Sequence, residues 1–286
     1  MKATTFFIAY FLTASLIAAL ISYPIYQLSS IGAYDFERWV TRFALLFLVI
    51  GIYPCTKLFN LKSDQLGFNF SFIPFITKTF VGFLSGLAIL AIVIGTLLIL
   101  GVLSIKPNET VTLSLISTAL LSGIVVALIE ETLFRGLFFN VSLKLHNVSL
   151  AIILSSSFYA ILHFIKPYSH LDPDSVNWLS GFQVIYYAFE GLSQLSVDDL
   201  LALFSVGVLL ALVRFKTNTL AYCIGLHASW VLLLKVTNKL TNENSDSAWS
   251  FLTGQYDGII GLLVFFWLSI ISISYIFVTR QKNRIP

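Results

Sequence analysis

The chain has 286 residues, of which 57% are hydrophobic and only 11% charged, and its mean hydropathy is +0.89. Soluble domains carry roughly 25% charged residues, so a soluble globular fold is excluded. The net charge of +3 is no argument for a nucleic-acid partner, because in membrane proteins cationic residues chiefly set topology.

A bilayer core of about 30 Å is crossed by about 20 apolar residues in a helix. Eight such stretches are expected, at about 5–24, 40–59, 78–103, 114–139, 148–165, 197–213, 219–236 and 258–278. Only helices and closed barrels satisfy their backbone in lipid. Runs such as Leu87 to Leu100 lack the period-2 alternation of a barrel strand. The expected fold is therefore an all-α polytopic membrane helical bundle, one integral membrane domain spanning 1–286, with no internal repeat and no segment long enough to fold alone in water.

Along the chain, Lys2 and the run after it resemble a signal peptide. The run stays apolar toward Leu28 without a small-residue cleavage site, so it is expected to persist as the first helix. Cys55 in the second stretch and Cys223 in the seventh are isolated in apolar surroundings and form neither a disulfide framework nor a metal site. Between the fifth and sixth stretches, 166–196 holds Trp178, Phe182, Tyr186 and Tyr187 with few charges. This is the composition of an interfacial helix, a re-entrant flap or an aromatic belt at the membrane surface.

With the N-terminus cytoplasmic, the inner segments carry Lys2, Lys57, Lys62, Lys78, Lys144, Arg214, Lys216, Arg280, Lys282 and Arg284. The outer ones carry Arg38, Arg42, Lys106, Lys166, Lys235 and Lys239. That excess, with the even number of spans, favours both termini in the cytoplasm. The setting expected is the cytoplasmic (inner) membrane of a bacterium, with membrane lipids as its surroundings.

The costliest residues lie in the fourth stretch, Glu130-Glu131-Thr132-Leu133-Phe134-Arg135. A charge at bilayer depth costs at least about 2.5 kcal/mol by insertion scales, so such residues are read as functional by default. On an α-helix Glu131 and Arg135 are four apart and pair along one face, while Glu130 points about 100° away. A second carboxylate is one too many for a single arginine, and it is suited to accepting and returning a proton. His163 ends the fifth stretch and His227 lies in the seventh. If the turn between the fourth and fifth helices is near His146-Asn147, Glu130 and His163 are each roughly 24 Å from it and stand level in an antiparallel hairpin. His146 and His170, at a turn and in a loop, are expected at the surface.

Three features together resemble a known family: Glu130-Glu131-x-x-x-Arg135; an aromatic, Tyr159, four residues before His163; and Arg214-Phe215-Lys216-Thr217-Asn218-Thr219-Leu220 leading to His227. The family is the CAAX prenyl protease and bacteriocin-processing (CPBP) group of intramembrane glutamic endopeptidases, also called the abortive-infection or type II CAAX protease family. The resemblance covers about 115–235, and Leu66-Gly67-Phe68 is also similar to the family. It implies peptide hydrolysis with Glu130 as general base on a water, His163 positioning that water, His227 stabilising the oxyanion, and Glu131 and Arg135 as structural support. It implies a protein or peptide substrate, lipid-modified or not, and no cofactor or metal. Where the family pattern has Asn or Asp four residues after the histidine, this chain has Val231; Ser229 and Trp230, which carry donors beside His227, are the expected substitutes.

Other readings are weaker on the residues. Glu130, His163 and His227 could also ligate zinc, so metal-dependent hydrolysis is the second choice within the enzyme class, although no His-Glu-x-x-His motif occurs. A serine protease would need more context than Ser229 near His227. A non-catalytic membrane protein of the same fold, a bacteriocin-immunity or scaffold relative, is the alternative from another class. A transporter would place prolines at mid-membrane, whereas the seven here read as segment ends or loops.

Overall fold

The computed structural model describes residues 2–28, 35–68, 71–167 and 170–282; Arg284 and Pro286, counted above, lie outside them. The chain is an integral membrane helical bundle. Its helices are α1 (Ala3–Leu28), α2 (Phe36–Leu58), α3 (Phe72–Ile99), α4 (Leu113–Glu131), α5 (Phe139–Leu145), α6 (Val148–Leu162), α7 (Ser180–Glu190), α8 (Val197–Thr217), α9 (Ala221–Leu240) and α10 (Leu262–Lys282). Six stretches are long and apolar enough to cross a membrane: α1, α2, α3, α4 through α5, α8 and α10. The other two expected spans are α6, apolar but only 15 residues long, and α9, which carries Lys235 and Lys239 along its length. The exposed large apolar residues of these helices, such as Leu20, Ile50, Ile92 and Phe266, form the lipid-facing surface that hydrocarbon tolerates without cost.

Sequence chemistry marks most helix ends. Thr112 caps α4 by accepting the Leu115 N–H, and Asn147 caps α6 by accepting that of Leu150, each satisfying an orphan donor of a first turn. Asn218 closes α8 in the left-handed region at φ 51°. α1 and α2 run past Pro24 and Pro54 near their C-terminal ends, so these prolines sit within helices rather than beyond them. Two strands absent from the expected all-α fold, β1 (Leu103–Ile105) and β2 (Thr241–Glu243), pair antiparallel with Ser104 opposite Asn242. They tie the end of α3 to the end of α9.

The core seam is α3 against α9, with α4 on the other side of α9. Gly82 and Gly86 of α3 face Tyr222 and Leu226 of α9, and Gly225 of α9 lies against Thr79 and Phe83 of α3; a Cβ at any of these glycines would run into the facing backbone. Glycine repeated every fourth residue lets two helix backbones approach closely in a membrane. α8 packs between α6 and α10, and α1 packs on α2. α7 docks on α1, where Gly181 meets the backbone of Ala19 and Trp178 lies 5.1 Å from the Tyr23 ring. Within 166–196 the structure has this short helix, packed on α1. The loop ahead of it is held by Glu37, buried at the start of α2, which accepts the Leu171 N–H.

Candidate active site

The fourth span is not one continuous α-helix. α4 ends at Glu131, Thr132–Phe138 form a π-helical segment, and α5 follows. A π turn widens the helix by one residue and is frequently found at functional sites. Here it holds Arg135, which is 1% exposed. Its Nη1 donates to Glu131 Oε1 at 3.0 Å, its Nη2 donates to the Gly207 carbonyl of α8 at 3.4 Å, and its guanidinium carbon lies 4.4 Å over the Tyr159 ring. The arginine thus joins three elements: the π segment, α6 and α8.

Glu131 has a second partner that the spacing did not reveal. Its Oε1 lies 2.8 Å from His227 Nδ1, so the carboxylate described above as support for Arg135 also grips one of the two histidines. A carboxylate shared with arginine only accepts, so Nδ1 carries the hydrogen and His227 turns its other nitrogen, Nε2, toward Glu130 at 3.7 Å. His163 is set the same way. Its Nδ1 is 2.7 Å from the Tyr159 carbonyl, which can only accept, and its Nε2 is 3.8 Å from Glu130 Oε2. Glu130 Oε2 is buried and has no hydrogen-bond partner within the protein. Three acceptors from α4, α6 and α9 therefore converge on one point.

That point borders a cavity of about 240 Å³ lined by Glu130, Tyr159, His163, His227 and Trp230, and otherwise mostly by Val, Leu and Ile from α3, α8, α9 and α10. A mostly apolar cavity with a few convergent polar groups is the usual form of a ligand site. Tyr159 is 3% exposed and packs its ring 4.4 Å from that of His163. Trp230 lines the cavity, but its indole N–H is given to the Gly86 carbonyl at 3.1 Å. Ser229 turns toward α3 at Gly86 and donates to the Leu226 carbonyl at 2.7 Å. Both donors proposed to stand in for the amide missing at Val231 are thus committed to backbone, and Val231 itself lines the cavity as an apolar wall. The His170 side chain is 78% exposed, and α7 contributes nothing to the cavity lining.

The structure adds two residues that the sequence did not single out, Tyr256 and Asp257, both lining the cavity from the loop before α10. The Tyr256 ring lies 6.1 Å from His163 and 5.8 Å from Phe164. They follow a polar stretch that holds Glu243, Asp246 and Gln255, so no isolated charge marked them in the sequence. The Arg214 to Leu220 segment is also accounted for: Arg214 Nη2 donates to the Gln65 carbonyl, and the Leu220 N–H to Gly67. Gly67 sits at φ 97°, a conformation that favours glycine, so the segment leading to His227 clasps Leu66-Gly67-Phe68.

Residues 112–233 match the family model described as type II CAAX prenyl endopeptidase Rce1-like, the same family that the three motifs resemble. The match supports intramembrane endopeptidase activity of the CAAX type in general, acting on a protein or peptide. No curated protein and no solved structure matches the chain.

Proposed function

We propose that this chain, which carries a type II CAAX prenyl endopeptidase segment over residues 112–233, hydrolyses a peptide bond of a membrane-associated or lipid-modified protein with a water activated by Glu130. The observation that carries the reading is the unpartnered Oε2 of Glu130 between two Nε2 atoms at 3.7 and 3.8 Å. Polar atoms held at that separation are spaced for a bridging water.

Glu130 takes a proton from the water as its oxygen attacks the substrate carbonyl. His163, fixed through Nδ1 by the Tyr159 carbonyl, orients that water through Nε2. His227 carries a proton on Nε2 when it meets the oxyanion, and the Glu131 carboxylate on Nδ1 stabilises the imidazolium that this requires. Removing one oxyanion donor typically costs about 10²–10³ in rate. The apolar walls receive the substrate's apolar side chains or lipid and exclude bulk water, which strengthens each electrostatic contact inside.

The test is Glu130→Gln, in detergent or liposomes, on a quenched-fluorescent peptide ending in a prenylated Cys-aliphatic-aliphatic-X sequence and on its unprenylated counterpart. The variant is expected to purify as a monodisperse protein and to lose about 10²–10⁴ in kcat. Activity within a few-fold of wild type would remove Glu130 from the base role. Cleavage of the unprenylated peptide alone would move the substrate class away from lipid-modified proteins.

A further inference from the structure

The hydrolysis just described needs an acid for the departing amine; on α4 and α9 the protons at hand are the one Glu130 takes from the water and the one His227 Nε2 offers the oxyanion, so a proton for nitrogen that spares both needs a further group. Neutral His163 holds its hydrogen on Nδ1, facing the Tyr159 carbonyl, and the Trp230 N–H is spent on Gly86. The other proton-bearing groups on the cavity wall are the Tyr159 and Tyr256 phenols and the Asp257 carboxyl. A phenol ordinarily ionises near pH 10, far from the operating pH at which an acid catalyst works best.

We propose that Asp257, which lies outside the family-matched segment, is the second carboxyl of the active site and donates its proton to the leaving nitrogen. The loop that carries it is built for a fixed geometry. Asp199, at the start of α8, accepts the N–H groups of Gln255 and Tyr256 at 3.1 Å each, and the Gly254 N–H closes on the Ile260 carbonyl at 2.8 Å. Within this frame Asp257 Oδ1 accepts from Ile259 at 3.1 Å and Ile260 at 2.8 Å. One oxygen is thereby clamped, and Oδ2 is the oxygen left to carry a proton.

The surroundings favour the protonated form of this carboxyl more than water would. Burial pushes the Asp257 carboxyl above its usual range, and the neighbouring Asp199 and Glu243 push in the same direction, against its two backbone hydrogen bonds. The other charged or titratable groups on this wall are Tyr256, with Lys166 Nζ 4.5 Å from its ring centre, and Tyr159, His163, Glu130 and His227 across the lining. A carboxylic acid held neutral by its site is a known device for donating hydrogen bonds and protons near neutral pH.

The water oxygen bonds to the carbonyl carbon while its proton goes to Glu130 and the carbonyl π electrons move to oxygen. The oxyanion pair then re-forms the carbonyl as the C–N bond breaks; the C–N electron pair stays on nitrogen, and nitrogen takes the proton of Asp257. The products are a carboxylic acid and an amine, with Glu130 protonated and Asp257 ionised; solvent returns one proton from the first to the second.

This inference rests on the proposed function, so the test separates the two. The prenylated peptide and an ester analogue of its scissile bond are offered to wild type, Asp257→Asn and Glu130→Gln. An ester's alkoxide leaves with less need of an acid, so Asp257→Asn is expected to lose about 10² or more in kcat on the amide, to keep most of its ester rate, and to lose the alkaline fall in kcat. Glu130→Gln is expected to fail on both. Equal losses of Asp257→Asn on amide and ester, a change in KM alone, or an unchanged rate would each overturn the acid role. Should wild type cleave neither probe, the substrate reading fails, and infrared difference spectra still decide the proton: a protonated-carboxyl band at neutral pH that is present in wild type and lost in Asp257→Asn is expected, and a wild-type-minus-Asp257→Asn difference without such a band overturns the proposal.

Discussion

Glu130 and Glu131 are sequence neighbours with opposite surroundings. The first is 25% exposed to the cavity and unpartnered at Oε2, while the second is fully buried between Arg135 and His227. Half of this was legible in the sequence, because an i,i+4 pair satisfies one carboxylate and leaves its neighbour over. The Glu131 to His227 bond was not, since it joins residues 96 apart and no local spacing records it. Two outcomes follow. Arg135→Ala leaves the Glu131 carboxylate buried without its cation, and breaking a buried pair this way costs about 3–5 kcal/mol in soluble proteins; the thermal melt in detergent should fall, and an unchanged melt would contradict the pairing. Glu131→Gln keeps the shape but lets the amide turn its NH2 to His227, favouring the wrong tautomer. A comparable carboxylate-to-amide change beside a catalytic histidine costs about 10⁴ in kcat, so the turnover of Glu131→Gln should drop by orders of magnitude while folding persists.

The helices themselves were readable, because 20 apolar residues in lipid leave the backbone few alternatives. Their departures from regularity were not. The π segment at 132–138 arises where Arg135 reaches both the Gly207 carbonyl and the Tyr159 ring, and those partners belong to other elements. The loop over 253–261 likewise takes its shape from Asp199, 56 residues before Gln255. One element-level signal did exist: Gly82-x-x-x-Gly86 on α3 is the small-residue spacing that marks a close helix seam in membranes, and it faces Gly225 and Ser229 of α9. A side chain at Gly225 would strike the Thr79 carbonyl and the Phe83 amide, both backbone and unable to rotate away. Gly225→Val should therefore force α9 off α3, at a cost of about 1–3 kcal/mol for overpacking, and should displace His227 two residues on. Loss of both melting temperature and turnover is expected; full activity would mean that the seam does not position His227. Trp230→Phe forfeits only its bond to Gly86, so it should lower the melt more than kcat, and a large specific loss of kcat would restore Trp230 to the chemistry.

At the scale of the whole molecule, the helices alternate in direction, so α10 returns to the end of the bundle where α1 begins. The β1–β2 pair and the 253–261 loop, with Tyr256 and Asp257, occupy the opposite end. From the lysine and arginine excess on the termini side we propose that this side faces the cytoplasm, which would place the loop carrying Asp257 toward the outer face. Both native cysteines are buried, so the chain offers little background to a thiol reagent. Ser63, in the α2–α3 connection, and Ser245, beyond β2, are exposed on opposite ends. A membrane-impermeant maleimide should label Ser245→Cys in intact cells and Ser63→Cys only after permeabilisation. The reverse pattern would invert the bundle and bring the Asp257 loop to the cytoplasmic side, so that a soluble, cytoplasmically anchored protein rather than an outward-facing one would meet the cavity first.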